Sequence, residues 1–266
     1  MGLSPKKFRD FRKDSELYSY LGKKYIKLEE GGVLEEVFDK PTLMTLYRLV
    51  NRGVFESLVG VIKSGKEAKI FRALGSKGEE YAVKIYLTVS AEFKKGMLPY
   101  LEGDVRFTRI RRGSRSLIYL WAQKEFKNLK KAWEIGVRVP KPYTVENNVL
   151  VIEFIGENGV PAPLLKDADV LNPEKVYEKL LNYLKILYRK GELVHGDLSE
   201  YNVMILKNDE PVIFDMSQAV LLSHPLADML LRRDISNLNR FFRKIGVEVK
   251  PENEIYRWIT QDESNI

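Results

Sequence analysis

Apolar residues along this chain follow a helical period, then a strand-like one, then a helical one again. From Thr42 to Asn51, residues Leu43, Leu46, Tyr47 and Val50 recur at three- and four-residue steps. That spacing predicts a helix with these four on its inner face, stopped by Gly53. Short β-rich runs predict strands over 55–62, 69–74 and 80–87, the first two joined by Lys63-Ser-Gly-Lys-Glu-Ala68. Residues 1–40 are charged and irregular, and 88–113 are mixed and poorly periodic; neither stretch predicts a regular element. A long helix is expected over 114–135, with Ile118, Ala122, Leu129 and Ala132 on one stripe and Gly136 as its stop. Strand-like pieces over 137–143 and 149–154 flank the turn dipeptide Asn147-Asn148.

The second half is more helical. Asn172 before Pro173 is a helix cap followed by proline at the first position. Val176, Leu180, Tyr183, Leu184 and Leu187 give that helix a continuous apolar stripe, ended by Gly191. Two short apolar runs follow, 203–206 and 211–214, separated by the turn formers Lys207-Asn-Asp-Glu210. They predict an antiparallel hairpin. A last helix over 225–244 buries Ala227, Leu231, Leu238, Phe241 and Phe242. Strands first and helices later predict an α+β fold segregated into two lobes.

A chain of 266 residues is long enough for a sizeable core, and 44% hydrophobic with 30% charged residues is a globular composition. No apolar run approaches the ~18 residues of a membrane span, and Met1-Gly-Leu-Ser-Pro-Lys-Lys has no signal-peptide core, so a cytoplasmic location with no membrane partner is expected. The chain has no cysteine, which excludes disulfides, thiolate metal sites and cysteine nucleophiles. The net charge of +7 permits a polyanionic partner without requiring one.

The hairpin carries the chemistry. Asn202 sits just before its first strand and Asp215 just after its second, so the two are expected to face each other about 5 Å apart. An amide oxygen and a carboxylate held that close suit a hard cation such as Mg²⁺ beside phosphate oxygens. Asp197, five residues before Asn202, lies on the entering loop as a base or an orienter of a hydroxyl. The spacing of Asp197, Asn202 and Asp215 is that of the phosphoryl-transfer apparatus of protein kinases, with Gly196 in place of its Arg and Asp215-Met-Ser217 in place of Asp-Phe-Gly.

Other segments fit that scheme. Tyr81-Ala-Val-Lys-Ile places Lys84 as the strand lysine that holds phosphates. Glu125 falls in the middle of the buried stripe of the 114–135 helix and needs a cationic partner, for which Lys84 is the candidate. Ser64, Gly65 and Lys66 lie in the loop where kinases keep a phosphate-covering flap, offering backbone N–H groups and the Ser64 hydroxyl. Gly60 to Lys66 mimics a Walker A loop, but Glu67 stands where Ser or Thr is needed and a strand follows. Residues 149–156 form a buried strand running into a linker, where Glu153 and Ile155 are candidates for adenine binding and Ile152 guards the inner pocket. His195 is expected to brace the loop, and Asp234 either bonds that loop's backbone or forms a helix-surface ion pair. Arg106, Arg109, Arg111, Arg112 and Arg115 crowd the approach to the long helix, as a charged loop or a phosphate-binding patch.

The chain resembles the RIO family of atypical protein kinases, first type. The likeness rests on Ser64-Gly-Lys-Glu-Ala68, Trp121-Ala-Gln-Lys-Glu-Phe-Lys-Asn-Leu129, Val194 to Asn202, Ile213 to Ala219, His224-Pro and Leu231-Arg-Arg-Asp234. The segment 98–107 is similar to the mobile loop of that type, and the length before the flap is too short for the winged-helix domain of the second type. The resemblance implies a bilobal kinase-like fold: an N-terminal extension with a lead-in helix over 1–54, an N-lobe over 55–154 and a mostly helical C-lobe over 155–266. No Ala-Pro-Glu follows Asp215, so the activation segment and peptide-docking subdomains are expected to be missing. The resemblance also implies ATP- and Mg²⁺-dependent serine phosphorylation (Mn²⁺ serving as an alternative ion), autophosphorylation, ATPase behaviour, and a role in small-ribosomal-subunit maturation with pre-ribosomal RNA or protein as partner. In that reading Asp197 is the base, Asn202 and Asp215 bind metal, and Lys84 held by Glu125 binds phosphate. Two alternatives stay open: a small-molecule kinase of the aminoglycoside or choline type, and a non-enzymatic assembly factor switched by ATP.

Overall fold

The computed structural model describes residues 38–87, 91–107 and 113–261. The expectations for 1–37, and for Arg109, Arg111 and Arg112, lie outside the described residues. The first element is α1 (Lys40–Asn51). Asp39 caps it, accepting from the Thr42 backbone N–H at 3.1 Å and hydroxyl at 2.6 Å. Its buried face is Thr42, Thr45, Leu46 and Leu49, with Leu43, Tyr47 and Val50 only partly covered, so the helix is rotated from its expected face. The reason is polar: Asn147 and Asn148 of the neighbouring turn each donate to a threonine hydroxyl, Thr45 and Thr42, at 2.9 Å. Leu49 is fully buried under the sheet. Leu49→Ala is expected to cost about 2–5 kcal/mol, read from chemical denaturation.

The sheet is antiparallel, in the order β1-β2-β3-β5-β4, from β1 (Ser57–Ser64), β2 (Ala68–Leu74), β3 (Glu80–Tyr86), β4 (Pro142–Glu146) and β5 (Val149–Glu153). Alternation along β3 sends Val83 and Ile85 to the core beneath α1, with Phe71, Val149 and Val151. Lys84 and Tyr86 therefore face the other side, toward the long helix. Contrary to the expectation of no regular element in 88–113, α2 (Ala91–Leu101) forms there despite Pro99, and a 3₁₀ turn covers Val105–Phe107. Leu98 to Leu101, expected within a mobile loop, are helical. Beyond it, α3 (Ser114–Glu134) buries Ile118, Ala122, Glu125, Leu129 and Ala132, the expected stripe. The strand expected from 137 starts only at Pro142; Val137 and Val139 are buried as connecting chain.

In the second lobe, α4 (Pro173–Arg189) is capped by Asn172, which accepts from Lys175 N–H at 2.9 Å, and buries the five stripe residues. β6 (Gly156–Glu157) and β7 (Val160–Pro161) form a small ribbon after β5. β8 (Leu193–Val194) and β11 (Val220–Leu221) pair across the lobe, and between them β9 (Val203–Leu206) and β10 (Glu210–Ile213) make the hairpin. α5 (Ala227–Lys244) buries its expected apolar face. A further helix, α6 (Glu252–Thr260), was not foreseen from the sequence. Only residues 216–226 separate Asp215 from α5, so the activation segment is absent. Among the described residues no helix is long and apolar enough to cross a membrane.

Candidate active site

Three elements meet at one lysine. Lys84 Nζ on β3 donates to Glu125 Oε1 of α3 at 2.9 Å and to Asp215 Oδ1, just after β10, at 3.0 Å. Glu125 is 1% exposed and also accepts from the Tyr86 hydroxyl. Burial opposes the charge on Lys84, but the Asp215 and Glu125 carboxylates outweigh it and hold the ammonium above the usual lysine range. Burial likewise opposes ionisation of Asp215; the contact with Lys84 and a 2.8 Å bond from Ser217 Oγ keep its carboxyl below the ordinary range.

The hairpin forms as expected, with one difference in register. Val203 pairs with Ile213, and Phe214 N–H donates to Asn202 O at 3.0 Å. Asn202 thus lies opposite Phe214, not Asp215. Asp215 is one residue further on, in left-handed backbone (φ 59°, ψ 63°), which swings its carboxylate back toward the cleft. Asn202 Nδ2 donates to Asp197 O at 2.7 Å and Asp197 Oδ2 at 3.2 Å, leaving its amide oxygen as the remaining side-chain acceptor. Among the described residues no three His, Cys, Asp or Glu side chains converge as a self-sufficient metal site. The Asn202 oxygen and the Asp215 carboxylate fit Mg²⁺, an oxygen-seeking ion that draws its other ligands from phosphate and water.

Asp197 Oδ2 also accepts from Gln218 Nε2 at 3.3 Å. Burial raises its carboxyl above the ordinary range; Arg233 and Asn202 oppose this and Asp215 adds to it. The loop carrying Asp197 is braced from below. Asp234 of α5, fully buried, accepts from Gly196 N–H at 2.7 Å and Leu198 N–H at 2.8 Å, which decides between its two expected roles in favour of the loop backbone. Burial lifts the Asp234 carboxyl to about 7 even against those two bonds. Gly196 has φ +83°, and a Cβ there would stand 3.3 Å from Gln218 O and from Leu230 Cδ1, so the arginine of other kinases would be strained by the backbone and tightly packed here. His195 is fully buried and structural: its Nδ1 accepts from Asp197 N–H at 3.2 Å, so its Nε2 carries the proton toward Phe214 O at 3.3 Å.

Burial pushes His195 down to about 4, below the ~6.5 of an unfolded chain. The unfolded state therefore takes up a proton that the folded state does not. The stabilisation is complete above about pH 6.5 and is lost as pH falls toward 4, on the order of 3 kcal/mol. Unfolding free energy should fall more steeply over that window for the natural protein than for His195→Gln; parallel curves would rule this out.

A cleft of about 350 Å³ opens at Lys84, within the size range of small-ligand sites, and Asp197 and Asn202 are not among the residues that line it. Lys84, Glu125 and Asp215 line its floor, and Gly65 and Lys66 its flap. Ser64 ends β1 and is not part of the wall. Gly65 N–H closes the turn on Ala68 O at 3.0 Å, so it is not one of the free amides expected for phosphate. The Walker-like stretch is strand, turn and strand, without the helix a Walker loop needs. Ile152 lines the cleft, as expected. Glu153 and Ile155 do not; the Glu153 carboxylate turns to Arg138 at 2.8 and 2.7 Å, which leaves only backbone groups for an adenine. Arg106 is held by Asp104, and Arg115 by Asp39. Sequence reasoning overlooked Glu67, which lines the cleft facing Lys84; burial raises its carboxyl, and Asp215 adds to the rise. Its only signal was its place inside the flap motif.

Residues 69–255 match the family model described as the RIO domain. The chain is similar to the RIO-type serine/threonine-protein kinase Rio1 of Methanocaldococcus jannaschii, 43% identical over 256 residues, covering 96% of this chain and 86% of that protein. The same-named protein of Haloferax volcanii is 43% identical over 231 residues, covering 87% and 78%. Among solved structures, the Rio2 kinase from Chaetomium thermophilum in an ADP/Mg²⁺-phosphoaspartate complex superposes with a TM-score of 0.63 at 26% identity, covering 83% of this chain and 67% of that one.

Proposed function

Since this chain belongs to the RIO family and is a RIO-type serine/threonine-protein kinase, we propose that it moves the γ-phosphate of ATP to a serine hydroxyl of a protein, its own chain included, with Mg²⁺ as cofactor. The observation that carries this assignment of residues is the Lys84 ammonium shared between Glu125 and Asp215 at 2.9 and 3.0 Å. Such a group is a preorganised cation aimed at phosphate oxygens. The ADP and Mg²⁺ in the Rio2 complex support nucleotide and magnesium use here.

In this reading Gly65 and Lys66, which line the cleft, cover the triphosphate, with Ser64 at the strand end beside them, and Lys84, oriented by Glu125, binds its oxygens. The backbone of Glu153 and Ile155 takes the adenine. Asn202 and Asp215 hold Mg²⁺, or Mn²⁺ in its place, whose charge neutralises the phosphate oxygens. Asp197 orients the attacking serine hydroxyl and accepts its proton; its raised pKa makes it a better acceptor than an ordinary aspartate. Positioning and charge neutralisation then supply most of the rate. We take 1–54 as an extension with its lead-in helix, 55–154 as the N-lobe and 155–266 as the C-lobe. The setting we infer is cytoplasmic maturation of the small ribosomal subunit, for which the +7 charge supports an RNA-bearing partner.

Incubation with γ-labelled ATP and Mg²⁺, followed by phosphoamino acid analysis, tests the reaction. Phosphoserine on the protein or on an added protein is expected. Labelling of an amino sugar or choline with no phosphoserine would favour a small-molecule kinase instead.

A further inference from the structure

Three polar side chains outside this mechanism converge on the turn that carries Asp215. Lys124 lies on α3 beside Glu125 and is fully buried. Its Nζ donates to Ser217 O at 3.1 Å and to Ala219 O. One helical turn on, the fully buried Asn128 donates Nδ2 to Met216 O at 2.8 Å and to Ala219 O at 2.9 Å. Arg106 Nη1 donates to Asn128 Oδ1 at 2.8 Å. A guanidinium cannot accept, so this contact fixes which way the amide points and turns its nitrogen onto the carbonyls. Arg106 is in turn forked on the buried Asp104, at 2.9 and 2.7 Å.

This arrangement is costly. No carboxylate lies within ion-pair distance of Lys124 among the described residues, and burial pushes its ammonium down to about 7. Asp215 itself sits in a left-handed conformation that is unfavourable for a non-glycine residue and persists only where its surroundings enforce it. The three carbonyls that Lys124 and Asn128 grip all lie within four residues after it.

We propose that Lys124 and Asn128 are positioning residues for phosphoryl transfer: by holding the carbonyls of Met216, Ser217 and Ala219 they aim the Asp215 carboxylate at the metal. They do from α3 what a longer activation segment does in other kinases. α3 then reaches Asp215 from two sides, through Lys84 by way of Glu125 and through the turn by way of this clamp. The inference rests on Asp215 as a metal ligand.

The test compares ADP affinity with and without Mg²⁺ in Asn128→Asp and Lys124→Met, alongside kcat for labelled phosphate transfer. Asn128→Asp keeps its size and its Arg106 contact but turns an acceptor onto two carbonyls. Both variants should bind metal-free ADP like the natural protein, lose about tenfold or more of the affinity gained with Mg²⁺, and lose kcat similarly. Leu117→Ala, which opens a cavity on α3 away from the turn, should lower the melting temperature and leave the Mg²⁺ gain intact. An unchanged Mg²⁺ gain in Asn128→Asp, or an equal loss in Leu117→Ala, overturns the clamp. If Lys124→Met does not fold, Arg106→Met, which frees the amide to turn, takes its place with the same expected loss. A natural protein that binds no ADP and transfers no phosphate would instead overturn the reading of the site itself.

Discussion

Asp215→Ala is expected to lower γ-phosphate transfer on the order of 10³-fold while leaving the chain folded. The Asp215 side chain is 39% exposed, and its loss leaves Lys84 paired with the buried Glu125. Alanine also removes the carboxylate proposed to hold the metal, so ADP affinity should no longer respond to Mg²⁺. Asp197→Ala separates the two roles. It should lower transfer by about 10²–10⁴-fold, the usual contribution of a positioned base, and keep the Mg²⁺-dependent nucleotide affinity. Steady-state transfer and ADP titration on both variants check this. Near-natural transfer by either one would remove that residue from the mechanism.

Lys84→Met and Glu125→Ala should show the opposite signature, losing stability together with activity. Lys84→Met leaves the buried Glu125 carboxylate without its cation and should cost about 3–5 kcal/mol, whereas Glu125→Ala leaves Lys84 paired with Asp215 and should cost less. For Lys84→Met, Glu125 keeps only the Tyr86 hydroxyl among the hydrogen bonds described above. For Glu125→Ala, Lys84 keeps only Asp215 and is drawn away from the phosphate position. Urea denaturation midpoints beside transfer rates distinguish these variants from the Asp197 and Asp215 ones. An unchanged midpoint in Lys84→Met would mean that the pair is hydrated rather than buried.

The residues that were legible in the sequence share a physical reason. The hairpin, the α3 stripe and the α4 cap are local patterns, in which spacing fixes which side chains share a face. Glu125 was readable because a carboxylate on an apolar stripe is an anomaly that demands a cation. Where the reading failed, tertiary contacts outweighed local pattern. The face of α1 was set by threonines that meet Asn147 and Asn148, about a hundred residues away in sequence. α2 was hidden by Pro99 and a weak apolar period. Asn202 and Asp215 are expected opposite each other on a four-residue turn, but Glu210 pairs with Leu206, so the turn is one residue shorter and Asn202 faces Phe214. Lys124 and Asn128 lay inside a motif already singled out. A lysine is ordinarily solvated, and only the backbone carbonyls brought from 88 to 95 residues further along explain its burial.

Gly196 bears on how such an enzyme is governed. With its positive φ and a carbonyl 3.3 Å from where a side chain would begin, the position disfavours the arginine that other kinases carry there. The run from Asp215 to α5 is also short. Lys84, Glu125 and Asp215 already touch through the chain's own contacts. Among the described residues, a phosphate added after Asp215 would therefore find no long loop to order, so control of such a kinase through that segment is not expected.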